Sequence, residues 1–258
     1  MDELRPLLEE ISQCPIAIAI QAGKLSSIHP CHKIVKLQKA SAFQLPEPWS
    51  GKIDTAPVLF ISSNPSIDER EEYPDQSWRL DRTIDFFQNR FTSDAGWVRD
   101  GLYVLQRDGS LSRQWVRFWA AARGRTCEIL DKGKSQIKPG IDFALTEIVH
   151  CKSREEEGVK EARDFCSERY LERILSVAAA KVLVVFGGTA KHAIVRLFGP
   201  AMTLQSHDLN IVSIQNVPRM VVFLPHPNER GSMKTLRANI GDGALLLIRG
   251  HVNGKPKP

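Results

Sequence analysis

The sequence predicts an α/β domain of three layers, with a central, mainly parallel four-stranded sheet between helices. Three observations predict it. Four short apolar runs (57–63, 144–150, 181–187 and 220–225) are continuous rather than alternating, as in strands buried on both faces. Stretches with apolar residues at helical spacing separate them, and strands alternating with helices form parallel sheets. The runs also stop abruptly, at Asn64-Pro65, His150, Gly187-Gly188 and His226-Pro227. A chain of 258 residues that is 42% hydrophobic holds enough apolar material for one such core.

Taken in order, Leu4, Leu7, Leu8 and Ile11 predict a first helix over 2–13. Residues 14–56 contain Pro15, Pro30, Pro46, Pro48 and Gly51, and are expected to be irregular. The domain reading is therefore an N-terminal helix and extended lead-in over 1–56, packed on a domain of residues 57–250, with 251–258 as a flexible tail. PVLFISS (57–63) is the first strand. Leu80, Ile84, Phe87 and Phe91 predict a helix around 78–91, and Trp115, Phe118, Trp119 and Ala122 another around 112–122. The polar stretch 131–140 reads as a loop. ALTEIVH (144–150) is the second strand, and Leu171, Ile174, Leu175 and Ala178 mark a helix over roughly 160–180. KVLVVFG (181–187) is the third strand. Gly187-Gly188-Thr189 lacks the spacing of a phosphate-binding fingerprint and reads as a tight turn into a helix near 189–198. Residues 208–214 suggest a short β excursion, MVVFLP (220–225) is the fourth strand, and a last helix starts near Lys234.

Composition narrows the partners. Lysine and arginine outnumber acids 35 to 30, giving a net charge of +5 and a pI near 9.0, compatible with a polyanion. No run reaches the ~18 apolar residues of a membrane span. The start, MDELRPLLEE, lacks the basic and apolar regions of a secretory signal, so the cytoplasm is the expected compartment. Five cysteines, an odd number, argue against a disulfide framework.

In parallel sheets, sites lie beyond the carboxyl ends of the strands. Asn64, His150 and His226 stand there, so a polar residue and a histidine could meet over one ligand.

At this point four segments resemble one family in its own order. VLFISSNPS (58–66) resembles the first motif of the uracil-DNA glycosylase superfamily, and FLPHPNERG (223–231) its His-Pro second motif. Between them, ALTEIVHCKS (144–153) and CSERYLERILSVAAAKVLVVFGGTAKHAI (166–194) resemble its intervening segments. The resemblance implies a uracil-DNA glycosylase-like fold and a monomer that flips a base out of DNA and hydrolyses its N-glycosidic bond. That chemistry needs no metal. It needs a positioned water and charge stabilisation on the leaving base. No lysine stands out as a Schiff-base nucleophile, so the expected activity is monofunctional.

The resemblance assigns Asn64 to the water and His226 to the base O2, with Ser63 and Pro65 beside Asn64 in the substrate loop. It assigns Pro227, Asn228, Arg230 and Gly231 to the loop that enters DNA. Arg230 falls at the wedge position, though it could instead pair with phosphate or be a solvated surface residue. Tyr73 lies near where the family stacks an aromatic on the flipped base; a core tyrosine fits the residue equally.

Two departures stand out. Glu147 replaces the family asparagine that reads uracil. An ionised carboxylate only accepts, which suits the N4 amino group of cytosine and repels uracil O4. If burial raised its pKa, the protonated form could donate to cytosine N3. Both states are expected to favour an amino-bearing base, unless Glu147 pairs with a nearby cation. Removing ordinary cytosine would destroy the host genome, so the expected substrate is a modified cytosine, such as glucosylated hydroxymethylcytosine in phage DNA, and the role antiphage defence. A uracil repair glycosylase and a non-catalytic DNA-binding module on the same fold are the alternatives. The second departure concerns cysteines. Cys151 and Cys166, with fourteen residues between them, resemble the later ligands of the family's iron–sulfur branches. The usual first pair, Cys-x2-Cys, is absent; Cys14 and Cys31 could replace it around a [4Fe–4S] cluster, or all four could be buried thiols.

Overall fold

The four apolar runs form four neighbouring parallel strands at the centre of one sheet. The computed structural model describes residues 3–92, 96–206, 209–229 and 235–254. Its strands are β1 (Trp49–Ser50), β2 (Val58–Ser62), β3 (Val98–Arg99), β4 (Tyr103–Val104), β5 (Phe143–Glu147), β6 (Val182–Phe186), β7 (Thr203–Ser206), β8 (Leu209–Ile214) and β9 (Val217–Leu224). The main sheet runs β1-β5-β2-β6-β9-β8-β7, and β3 with β4 forms a separate small pair. Neighbours among β5, β2, β6 and β9 are parallel. Every residue of β2, β5 and β6 is buried, which explains their unbroken apolar runs.

The sheet thus has seven strands, not four, and is mixed. The three additions are antiparallel edges. β1 is too short to show a period. β8 confirms the excursion expected at 208–214, and it joins β9 through Gln215 and Asn216, both with positive φ (50° and 64°). Two such residues suit the tight turn of a twisted hairpin. β7 has little apolar content and left no signal.

Alternate strand residues serve opposite faces. Leu59 and Ile61 of β2 join one apolar cluster, while Val58 and Phe60 join the other. The first cluster is covered by α1 (Leu4–Ser12), α2 (Pro15–Gln21), α3 (His32–Lys36), α4 (Leu80–Asn89), α6 (Val159–Val177) and α7 (Gly187–Phe198). The second is covered by α5 (Arg117–Leu130) and α8 (Leu236–Val252). Helices therefore flank both faces, as the fold class requires.

Helices α2 and α3 correct the extended lead-in expected over 14–56. Pro15 occupies the first turn of α2, where its missing N–H breaks no bond, so it starts a helix instead of stopping one. α5 begins and ends later than the stripe at 112–122 suggested, stopping at Asp131 in a left-handed conformation. α8 is kinked at Gly241 (φ 78°, ψ 166°) and runs through Val252, into the stretch expected to be a tail. No helix among the described residues is long and apolar enough to cross a membrane.

Candidate active site

A cleft of about 360 Å³ opens at the carboxyl ends of β2, β5 and β9, within the size range of small-ligand sites. Ser63, Asn64, Pro65, Glu147, His226 and Asn228 all line it. Residues from three strand ends, far apart in sequence, therefore share one cavity.

Asn64 follows β2. Its Nδ2 donates to Ser153 Oγ at 2.9 Å, to Pro65 O at 3.0 Å and to Cys151 O at 3.4 Å. Two of those partners are carbonyls, which only accept, so the amide orientation is determined. No described residue donates to Oδ1, which is left to accept from a water.

His226 follows β9 and is half-buried. Its ring stacks on Phe118, 5.8 Å between centroids and 20° between planes. The Asn228 N–H donates to Nδ1 at 3.3 Å, so the ring proton sits on Nε2. Burial lowers the His226 pKa, with Glu156 and Glu229 opposing, so the imidazole is neutral at pH 7. It still offers one N–H.

Glu147 ends β5 beside Ser62 of β2. It is buried, and the Ser62 hydroxyl donates to its Oε2. No cation forms an ion pair with it among the described residues, so the pairing alternative is not realised. Burial pushes its carboxyl up to about 8, against the Ser62 hydrogen bond and with help from Glu47 and Glu156. At pH 7 Glu147 is therefore mostly a neutral acid, with one donor and one acceptor.

Behind the cleft lies a charge cluster that no local sequence pattern announces. Arg90, at the end of α4, contacts both carboxylate oxygens of Glu47 at 3.1 Å and also pairs with Glu71. Lys152 Nζ lies 3.4 Å from Glu71 Oε2. All four side chains are buried. Burial pushes the Glu47 carboxyl up, but Arg90 and Lys152, with hydrogen bonds from Ser50 and Tyr73, bring it below its ordinary value. Two carboxylates and two cations balance, so the cluster braces the cleft floor.

Tyr73 belongs to this cluster and not to the cleft wall, which corrects its expected stacking role. Its hydroxyl donates to Glu47 Oε2 at 3.0 Å, its ring meets Phe86 and Phe87 edge-on, and Lys152 Nζ sits 3.4 Å from the ring centroid. A buried hydroxyl needs a partner, and the core supplies it. The aromatics that line the cleft are Phe118 and Trp119. His150, at the second strand's end, also turns away. Its Nδ1 donates to Glu47 O at 2.7 Å, and burial lowers its pKa to about 4. Arg230 and Gly231 lie outside the described residues.

On the far side of residues 150–153 is a second, apolar cavity. Cys14, Cys31, Cys151 and Cys166 all line it, with His150 and Tyr170. No carboxylate, lysine or arginine lines it. Burial raises the Cys151 thiol, and the other three cysteines raise it further, so the four sulfurs are electrostatic neighbours. Burial likewise pushes Cys31 up to about 12. Among the described residues no group is spaced to hold a single metal ion. Four cysteines are the donor type of a [4Fe–4S] cluster, and the cavity between them measures about 20 Å³.

Comparison with protein-family models and with curated proteins finds no match for this chain.

Proposed function

We propose that this chain is a monofunctional DNA glycosylase of the uracil-DNA glycosylase type, acting as a monomer on a base flipped from DNA. The observation that carries the reading is the meeting of Asn64, Glu147 and His226 in one cleft. Each stands just where the resembling motif ends its strand. In this reading Asn64 Oδ1 holds the water, because its nitrogen is already committed to Ser153 and two carbonyls. His226 donates from Nε2 to the base O2 as negative charge grows there. Phe118 walls the pocket beside His226. Arg113 and Arg117, exposed and without an ion pair among the described residues, flank the cleft-lining Val116 and would meet phosphates in this reading.

The favoured substrate is a modified cytosine, such as glucosylated hydroxymethylcytosine of phage DNA, with a role in antiphage defence. A neutral Glu147 can accept from N4–H and donate to N3. The same neutral acid also has the donor and acceptor of an amide, so it can accept from uracil N3–H and donate to O4. The expectation that both protonation states favour an amino-bearing base therefore holds for the ionised form only, and the uracil-repair reading stands second on this observation. A [4Fe–4S] cluster held by Cys14, Cys31, Cys151 and Cys166 would tie the N-terminal helices to β5 and α6. It would serve structure and supply no step of base excision.

The experiment is base release from duplexes bearing uracil, hypoxanthine, mismatched thymine, hydroxymethylcytosine or its glucosylated form, read as alkali-labile sites. Release confined to a modified cytosine, and lost in Asn64→Ala, is the expected result. Release from uracil would make this a repair enzyme. Release from none would favour a non-catalytic DNA-binding module.

A further inference from the structure

Hydrolysis at C1′ forms a C–O bond, breaks the C–N bond and strips a proton from the attacking water. Something in the cleft must take that proton. Asn64 can hold the water, but an amide is not a base. His226 carries its proton on Nε2 and accepts at Nδ1 from Asn228, so neither nitrogen is free to take another. Glu147 is buried against Ser62. Glu47 and Glu71 are bound to Arg90, and Asp68 to Arg70; Glu155 also lines the cleft, but among the described residues no hydrogen bond ties its carboxylate to the loop that carries Asn64.

We infer that Glu156, in the loop between β5 and α6, is the catalytic carboxylate that accepts the proton of the attacking water. This rests on the glycosylase reading. Glu156 lines the cleft. One carboxylate oxygen accepts from Ser63 Oγ, whose residue immediately precedes Asn64. The other accepts from Thr189 Oγ1 at 3.4 Å, in the first turn of α7. That turn begins at Gly187, which packs close to His226: a Cβ there would lie 3.6 Å from the histidine Cβ. Glu156 is thus held between the water-holding and base-stabilising residues. It is also solvent-accessible, so it can shed the proton afterwards.

The backbone is set for this placement. Glu155 and Glu156 both adopt left-handed φ, 50° and 58°, a conformation non-glycine residues avoid unless their surroundings impose it. The loop is anchored at Gly158, where an added Cβ would lie 2.7 Å from the Ile34 backbone nitrogen. The charged and titratable groups around Glu156 are Glu155 on its own loop, His226 and Glu229 after β9, Glu147 and Lys152 around the end of β5, and Asp68 after β2.

In the step, the water oxygen bonds to C1′ as the C1′–N bond breaks and its electron pair passes to the base. The water proton moves to Glu156 and then to solvent. The departing base takes a proton from Glu147, which is later re-protonated from solvent. Atoms and charge balance without an oxidant or reductant.

The test is single-turnover base release by wild type, Glu156→Gln, Glu156→Ala and the neighbouring control Glu155→Gln, on the duplex that the wild type cleaves best. The expected result is a fall of about 10²–10⁴-fold for both Glu156 variants, with DNA affinity and melting unchanged. The acidic limb of the pH–rate profile should be lost in Glu156→Gln, and added formate should restore part of the Glu156→Ala rate. Glu155→Gln should stay within about threefold of wild type. A Glu156→Gln rate within about threefold of wild type overturns the assignment alone. So does a lowered rate with an unchanged pH profile and no formate rescue, which marks a merely structural role. A wild type that releases no base from any duplex overturns the glycosylase reading and the assignment with it.

Discussion

Two cavities lie back to back across residues 150–153, and they are built in opposite ways. The cleft gathers carboxylates, two cations, hydroxyls, two amides and an imidazole. The thiol cavity gathers four cysteines among isoleucines, two valines, an alanine, a proline and aromatic rings. One short strap serves both. Cys151 turns its sulfur to the thiol cavity while its carbonyl accepts from Asn64; Lys152 enters the charge cluster, and Ser153 holds Asn64. The buried carboxylates in the cleft can be desolvated because each has a partner. Burial raises the thiols of Cys31, Cys151 and Cys166, so these hold their protons, and a bound metal would displace them. The contrast teaches that one strap can present two unlike faces, so a side chain removed on the cleft side should leave the thiol side standing.

The largest break should come from the cleft floor. Arg90→Met leaves Glu47 and Glu71 short of their cation and should cost about 3–5 kcal/mol of stability. Urea denaturation measures it; a loss below about 1 kcal/mol would mean the cluster is not a brace. The other cavity should respond to loading. Reconstitution with iron and sulfide should give a brown, visible-absorbing protein, stabilised by about 4 kcal/mol when the cluster is a thousandfold above its dissociation constant. Cys151→Ser should abolish the colour, and a colourless wild type would return the cysteines to plain thiols. Next, Asn64→Ala should lower base release by about 10²–10³-fold, as for loss of one preorganised polar contact, while leaving intact any iron–sulfur absorption that reconstitution gives. Joint loss of both would show the strap to be less independent than its two faces suggest.

Glu147 supplies a pH test. Its folded pKa, about 8, lies above the ordinary carboxylate value of 4.5. The folded state therefore holds this proton where the unfolded chain has released it. Its contribution to stability is fully present below about pH 4.5, declines as pH rises, and is gone above about 8. Base release that needs the neutral acid should fall up to about tenfold per pH unit above 8. Glu147→Gln keeps a donor and an acceptor without the proton, so its rate should be flat over that range. A wild-type rate flat to pH 10 would show that the ionised form works. The smallest effect is at the rim. Arg113→Ala and Arg117→Ala should each reduce the slope of log affinity against log salt by about one, if each contacts one phosphate. Unchanged slopes would move the DNA path elsewhere.

The central strands were legible because their signal is local. A run such as VLVVF states its own burial, and Asn64-Pro65 or His226-Pro227 states where it stops. The same logic put Asn64 and His226 at strand ends, but it also put His150 there, which turns to Glu47 O; Glu147 came only from the resemblance. It failed for Tyr73 because whether an aromatic faces a ligand or the core depends on its contacts, here with Phe86, Phe87 and Glu47. It missed Glu156 because REEEG reads as a solvated charge run until two left-handed residues, Glu155 and Glu156, bring their carboxylates to the cleft. It misread Pro15 because proline ends helices in their interiors and begins them at their first turn.

By itself, then, the sequence determined the alternation of buried strands with helices, and hence the rim on which Asn64, Glu147 and His226 stand. Those are properties of short segments, read from period and punctuation. Only the tertiary structure decided that the sheet has seven strands, that Arg90 and Lys152 neutralise Glu47 and Glu71, and that four cysteines from separate segments share one cavity. It alone also set the protonation of Glu147 and His226, because a pKa depends on burial and neighbouring charge, and neither exists until the chain has packed.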